Sequence, residues 1–235
     1  LKAWLNLRLS LPERIAIFTE GLQRIGFKVQ LGLPAEPRDG DVLVTWNRIG
    51  HGDLVAKQFE ARGLTVLVAE NAAWGNGFSG DRWLSMARRY HNTAGMFPVG
   101  DASRWDSLGA ELKDWRPPGG EIVGLPQRGI GPPGVAMPRG WQPIGCSRIR
   151  QHPGTRASIS LEEDLARTSW VKTWGSGAAV MALMWGIRVE SEYPEWIARQ
   201  NNTTEGRLAM FRALAWAQWR LSEIQCGEAF HRLLS

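Results

Sequence analysis

The chain has 235 residues, 43% of them hydrophobic and 22% charged, with a formal net charge of +5; this composition is globular and excludes a disordered chain. No apolar run approaches the ~20 residues of a membrane span, and no leader pattern stands near Leu1, so a cytoplasmic protein is expected. Cys146 and Cys226 are the only cysteines and lack metal-ligand spacing, which reads as buried, reduced thiols, with a single disulfide as the alternative.

Trp4 to Leu9 reads as a strand, followed by a helix with Ser10 as its cap and Pro12 in its first turn. Ile15, Phe18, Leu22 and Ile25 fall on one helical face, and Gly26 is the stop. Strands are predicted at 27–31, 41–46 and 64–69, with a helix from Asp53 to Gly63 between the last two. Strands separated by short helices predict a parallel sheet covered on both faces. The segment from Ala72 to Pro98 loses this rhythm and reads as a long loop with a short helix.

The stretch Arg116-Pro117-Pro118-Gly119-Gly120 marks the approach to a second lobe. Strands are predicted at 121–126, 147–150, 170–174 and 187–189. A capping box, Ser160-Leu161-Glu162-Glu163, starts a short helix, and an apolar helix runs from Ala178 to Trp185. Asn202 and Glu205 frame a last helix that buries Leu208, Phe211, Leu214 and Trp219. The predicted division is 1–115, 116–202 and 203–235: two α/β lobes and C-terminal helices.

Chemistry concentrates where strands end. Gly175-Ser176-Gly177 joins a strand to a helix, and small residues there expose N–H groups at a positive helix end, a setting that suits phosphate. The same residues also serve in a tight turn without ligand. Arg150 and His152 end the strand one βα unit earlier, with Pro153 shaping the turn, and both side chains can donate to a phosphate oxygen. Gln127 and Arg128 follow the preceding strand and point to the same crevice, because parallel strands align their carboxyl ends. In the first lobe Glu70 ends an apolar strand and is a candidate general base, or else a loop cap. His51, in the Gly-rich loop Arg48 to Asp53, is the rival base.

The order strand–Glu70-Asn71, strand–Arg150-x-His152-Pro153, and Thr173-Trp174-Gly175-Ser176-Gly177–helix–Gly186-Ile187-x-Val189 resembles capsule-polysaccharide-type glycosyltransferases. Bacterial Kdo and sialyl transferases of this kind carry an acidic motif in the first lobe and His-Pro and Ser-rich motifs in the second. Phage-encoded DNA-modifying glycosyltransferases have a similar pattern. Here Asn71-Ala72 replaces the second acid and the Gly, and Ser176 between glycines replaces a Ser pair. The resemblance implies a GT-B fold, two Rossmann-like lobes with the active site between them and the C-terminal helices packing across. It implies a UDP- or CMP-sugar donor held by Arg150, His152, Thr173 and the Ser176 and Gly177 N–H groups. Glu70 takes the acceptor's proton, with neither metal nor cofactor.

Of 28 lysines and arginines only Lys2, Lys28, Lys57, Lys113 and Lys172 are lysine, leaving 23 arginines. That bias suits a polyanionic partner, since arginine pairs bidentately with phosphate, or reflects a GC-rich genome. The acceptor expected first is therefore DNA carrying 5-hydroxymethylpyrimidine, in a phage enzyme of the host cytoplasm that extrudes the base. A capsule-type glycan acceptor is the alternative. A nucleotide-sugar hydrolase or epimerase and a non-catalytic nucleic-acid-binding module are the readings from other classes.

Overall fold

In the computed structural model, which describes residues 1–7, 12–74, 82–90, 94–129, 131, 134–152 and 159–235, the alternating apolar segments form two separate sheets. Ser10 and Pro153, expected as helix cap and turn former, lie outside the described residues. One unit comprises Leu1–Asp101 and Leu214–Ser235, the other Ala102–Ala213. The divisions thus fall at 101/102 and 213/214, where the sequence placed them at 115/116 and 202/203.

The first unit opens with β1 (Lys2–Asn6), α1 (Pro12–Arg24), β2 (Lys28–Leu31), β3 (Val42–Trp46), α2 (Gly50–Ala61), β4 (Val66–Asn71) and β5 (Trp83–Arg88). The second holds α3 (Ser103–Asp106), β6 (Glu121–Leu125), β7 (Arg148–Ile149), α4 (Leu161–Asp164), β8 (Thr168–Thr173), α5 (Gly177–Met184), β9 (Arg188–Ser191) and α6 (Thr204–Leu214). A 3-10 turn over Ala215–Ala217 then returns the chain to the first unit as β10 (Gln218–Arg220), α7 (Leu221–Gln225) and α8 (Glu228–Leu234).

The first sheet has the order β10-β5-β4-β3-β1-β2. Its β2, β1, β3 and β4 are mutually parallel, and β5 and β10 are antiparallel additions. Alternation along β4 sends Leu67 and Ala69 into the core under α1, α7 and α8, and Val66 and Val68 into a second core under α2. Helix α1 approaches α7 closely enough that a Cβ at Gly21 would overlap the Ile224 carbonyl. Trp83-Leu84-Ser85-Met86-Ala87 is buried on both faces, which corrects the loop expected over 72–98. The one polar group in that run, Ser85 Oγ, donates to the Glu70 and Asn71 carbonyls at 3.3 and 3.2 Å. Trp219 is buried as expected, but in β10 rather than in a helix.

The second sheet has the order β7-β6-β8-β9 and is parallel throughout. Helix α5 is apolar and largely buried, and Trp105 of α3 stacks on Phe211 of α6 at 4.9 Å. The expected start of α6 is refined: the Thr203 hydroxyl, not Asn202, accepts the Gly206 N–H at 3.0 Å. Asn202 instead sits at φ 55° with its amide against edge strand β9. Its Oδ1 accepts the Val189 N–H at 3.0 Å, and its Nδ2 donates to the Val189 carbonyl at 3.1 Å.

Arginine is used heavily inside both units. Arg48, with 2% of its side chain exposed, pairs with Asp53 at 3.0 Å and Glu60 at 2.7 Å. Arg116 donates to the Leu165, Ala166 and Thr168 carbonyls, and Arg207 to those of Lys113 and Leu183 while covering the Trp115 ring. The two thiols are free; Cys146 is half-buried and Cys226 exposed, which corrects the expectation of two buried cysteines. Among the described residues no helix is long and apolar enough to cross a membrane.

Candidate functional site

Parallel strands deliver the residues that follow them to one edge, and that edge is where α/β proteins bind ligands. In the second sheet β6 lies between β7 and β8. Gln127 and Arg128 follow β6, Arg150 and His152 follow β7, and Thr173 to Gly177 end β8 and begin α5. All eight residues expected to hold the donor therefore reach the same sheet edge. Their polar atoms divide them into two kinds.

Four are engaged within the protein: Thr173, Gln127 and Gly175 in the turn, Arg150 just after β7. Thr173 is fully buried; its Oγ1 donates to the Leu125 carbonyl at 2.8 Å and accepts the Ser176 N–H at 3.0 Å. Gln127 Nε2 donates to the Gly175 carbonyl at 3.0 Å. Gly175 is buried against Tyr193 and Trp196 rather than open to a ligand. Arg150 has 8% of its side chain exposed, pairs through Nε with Asp164 at 2.5 Å, and donates from Nη2 to the Ile159 carbonyl at 3.1 Å. Asp164 also takes Arg148 at 2.9 Å. Arg150 is thus balanced by a carboxylate in this structure.

The other four differ in exposure: Ser176 is buried, His152 half-buried, and Gly177 and Arg128 exposed. Ser176 caps α5, its Oγ accepting the Ala178 N–H at 3.3 Å, and its hydroxyl proton remains available to donate. Gly177 is exposed, a Cβ there would meet nothing within 4 Å, and its N–H has no hydrogen bond among the described residues. Arg128 is exposed and, among the described residues, carries neither a side-chain hydrogen bond nor an ion pair. His152 is half-buried; burial first, then the charges of Arg128 and Arg150, hold its pKa below the ordinary histidine value. The imidazole is therefore neutral at pH 7, beside two cations that an anion would screen.

Three anchors lay outside the sequence expectation. Ser191, at the end of β9, donates to the Trp174 carbonyl at 2.5 Å, and that carbonyl also accepts the Tyr193 N–H at 3.1 Å. Trp174 stacks on Tyr193, with ring centroids 5.8 Å apart, and meets Trp141 edge-on at 6.4 Å. The end-of-strand rule that selected Thr173 would have selected Ser191 had β9 been extended two residues. The carbonyls of Trp174 and Gly175 are both turned into the protein and the Ser176 N–H is taken by Thr173, which leaves the Gly177 N–H as the exposed donor of the turn.

In the first unit Glu70 is half-buried at the end of β4, on the α2 side of the sheet by alternation with Val66 and Val68. His51 is exposed and occupies the first turn of α2, not a loop. Both stand at the carboxyl ends of adjacent strands, β3 and β4. The edge of β4 also borders a cavity of about 580 Å³ floored by Ile17, Trp83 and Leu84 and rimmed by Arg14, Asn71 and Arg82.

Two mainly parallel α/β sheets, each with ligand-type residues at its carboxyl edge, define a Rossmann-like fold class. The fold is similar over 98% of this chain and 99% of the other to Thermosulfurimonas dismutans KpsC, beta Kdo 2,7 transferase, with a TM-score of 0.54 at 12% identity. A second solved structure, the same organism's KpsC, beta Kdo 2,4 transferase, matches at a TM-score of 0.49 and 13% identity over 90% and 89% of the two chains. No protein-family model and no curated protein sequence matches the chain.

Proposed function

We propose that the chain is a glycosyltransferase that moves a sugar from a nucleotide-sugar to a hydroxyl of a capsule-type glycan. The observation that carries the reading is the exposed Gly177 N–H at the start of α5, at the same sheet edge as the Ser176 hydroxyl, Arg128 and His152, on a fold shared with a Kdo transferase. These groups suit a phosphate that gains charge as its bond to the anomeric carbon breaks, because fixed donors stabilise it without reorganising. The acceptor oxygen forms the new bond to that carbon, the leaving electron pair goes to the phosphate oxygen, and the acceptor proton goes to Glu70.

A glycan is favoured over hydroxymethylated DNA because many arginines already serve the protein. Arg48, Arg116, Arg148, Arg150 and Arg207 bind internal carboxylates and carbonyls, so part of the arginine excess is taken up inside the protein. The test is a panel of CMP- and UDP-sugars, Kdo included, offered with capsule-type oligosaccharides and with hydroxymethylated and plain DNA, read by mass spectrometry. A sugar-modified oligosaccharide is expected. Modified DNA would restore the phage reading, free sugar alone would indicate a hydrolase, and DNA binding without donor binding would indicate a nucleic-acid module.

A further inference from the structure

Beside the Trp174–Gly177 turn lies a cavity of about 510 Å³ that the phosphate reading does not use. It is lined by Trp174, Ala136, Met137, Pro138, Arg139 and Pro194, among others: apolar and flat-sided, with one cationic rim residue. Its walls are fixed rather than loose. Trp174 Nε1 donates to the Val135 carbonyl at 3.2 Å, and Met137 Sδ accepts the Gln127 N–H at 3.2 Å. Trp141, which braces Trp174, is held in turn by Glu192 at 2.8 Å. The cavity and the turn share Trp174, and Gln127 ties the strand end that carries Arg128 to the cavity's Met137 wall. The cavity therefore adjoins the turn, and a nucleotide with its phosphate on the turn has a base to place one ribose further on.

We infer that this cavity takes the heteroaromatic base of the nucleotide, with Trp174, Met137 and Pro138 as its specificity-determining residues. The inference rests on the phosphate reading of the turn. A planar, weakly polar ring gains from aromatic and thioether neighbours what a sugar, bristling with hydroxyls, does not. Trp174 and Trp141 thereby acquire a role: the first lines the cavity and the second steadies it.

Calorimetry separates the two readings, with CMP, UMP and ribose 5-phosphate titrated into the whole chain and into the pocket-filling variant Ala136→Phe. The nucleotides are expected to bind the unaltered protein about tenfold or more tighter than ribose 5-phosphate, the usual scale of a base packed on an aromatic wall. In Ala136→Phe that advantage disappears while ribose 5-phosphate binding persists, which also reports that the variant is folded. Saturation-transfer NMR on the unaltered protein gives a check that needs no variant: base protons should receive more saturation than ribose protons. Equal binding of all three ligands overturns the base pocket and leaves the phosphate turn standing. An advantage that survives in Ala136→Phe, or weak saturation of the base, also overturns the pocket. Binding by none of the three overturns both.

Discussion

Removing the Thr173 hydroxyl without changing the side chain's shape tests whether the donor turn is held from inside. In Thr173→Val two hydrogen bonds vanish, and the Leu125 carbonyl and Ser176 N–H each lose a partner at a position where Thr173 itself is fully buried. A stranded buried polar group costs about 1–3 kcal/mol, so two give roughly 2–6 kcal/mol. Thr173→Ser keeps the hydroxyl and loses one buried methyl, a cost of about 1 kcal/mol. Urea unfolding of the three proteins measures the difference, and calorimetry with a nucleotide measures the turn. The valine variant should lose both stability and nucleotide affinity; the serine variant should keep most of each. A valine variant within about 0.5 kcal/mol of the unaltered protein, binding nucleotide normally, refutes the idea that this hydroxyl organises the turn.

Glu70→Gln should lower turnover by ~100-fold or more with donor binding near normal, while His51→Ala does less; the reverse pattern in steady-state kinetics makes His51 the base. Arg128→Ala should weaken nucleotide binding by about 1.5–3 kcal/mol in calorimetry, the range for a hydrogen bond to a charged group. Arg150→Ala, which takes from Asp164 one of its two arginines and leaves it Arg148, should instead appear first as lost stability in thermal unfolding. Sulfate, whose charge stays constant over this range, should bind more tightly as pH falls through the ordinary histidine value of about 6.5. The reason is that an anion favours the protonated form of His152, whose pKa is depressed without ligand; a flat pH profile, or the same slope in His152→Asn, removes His152 from the site. In the ligand-free protein the same depressed pKa makes stability complete above about 6.5 and progressively lost below it.

The parallel core of each sheet was legible because its strands are short apolar runs bounded by helices with clear stops. Strands β5 and β10 were not, and for one shared reason. Each finds its partner far along the chain, Trp219 opposite Leu84, and neither has the period-2 alternation that marks a half-exposed strand. Trp219 also satisfies helical spacing from Phe211, so the pattern alone favours the wrong element. His51 was misplaced because Gly50 and Gly52 have low helix propensity. Packing decides there: a Cβ at position 52 would stand 3.1 Å from Asn6 Nδ2, so a small residue lets α2 begin close to the sheet. At the candidate site, strand ends named the right residues but not their roles. Nothing local in Arg150-Gln151-His152 announces that Asp164, on a four-residue helix, will claim the arginine and leave Arg128 exposed.

The amide of Asn202 gives β9 what a neighbouring strand would give it: one acceptor and one donor, both delivered to Val189. Gln200 braces the arrangement, donating to Asn202 Oδ1 at 2.9 Å and accepting the Asn202 N–H at 2.6 Å. In a parallel strand every second residue turns its N–H and carbonyl away from the sheet, and Val189 is flanked by residues turned the other way. A single side chain therefore quenches the growing point of the sheet, and a fifth strand from another molecule finds no complete ladder to extend. At this edge a single left-handed asparagine does the work of a neighbouring strand.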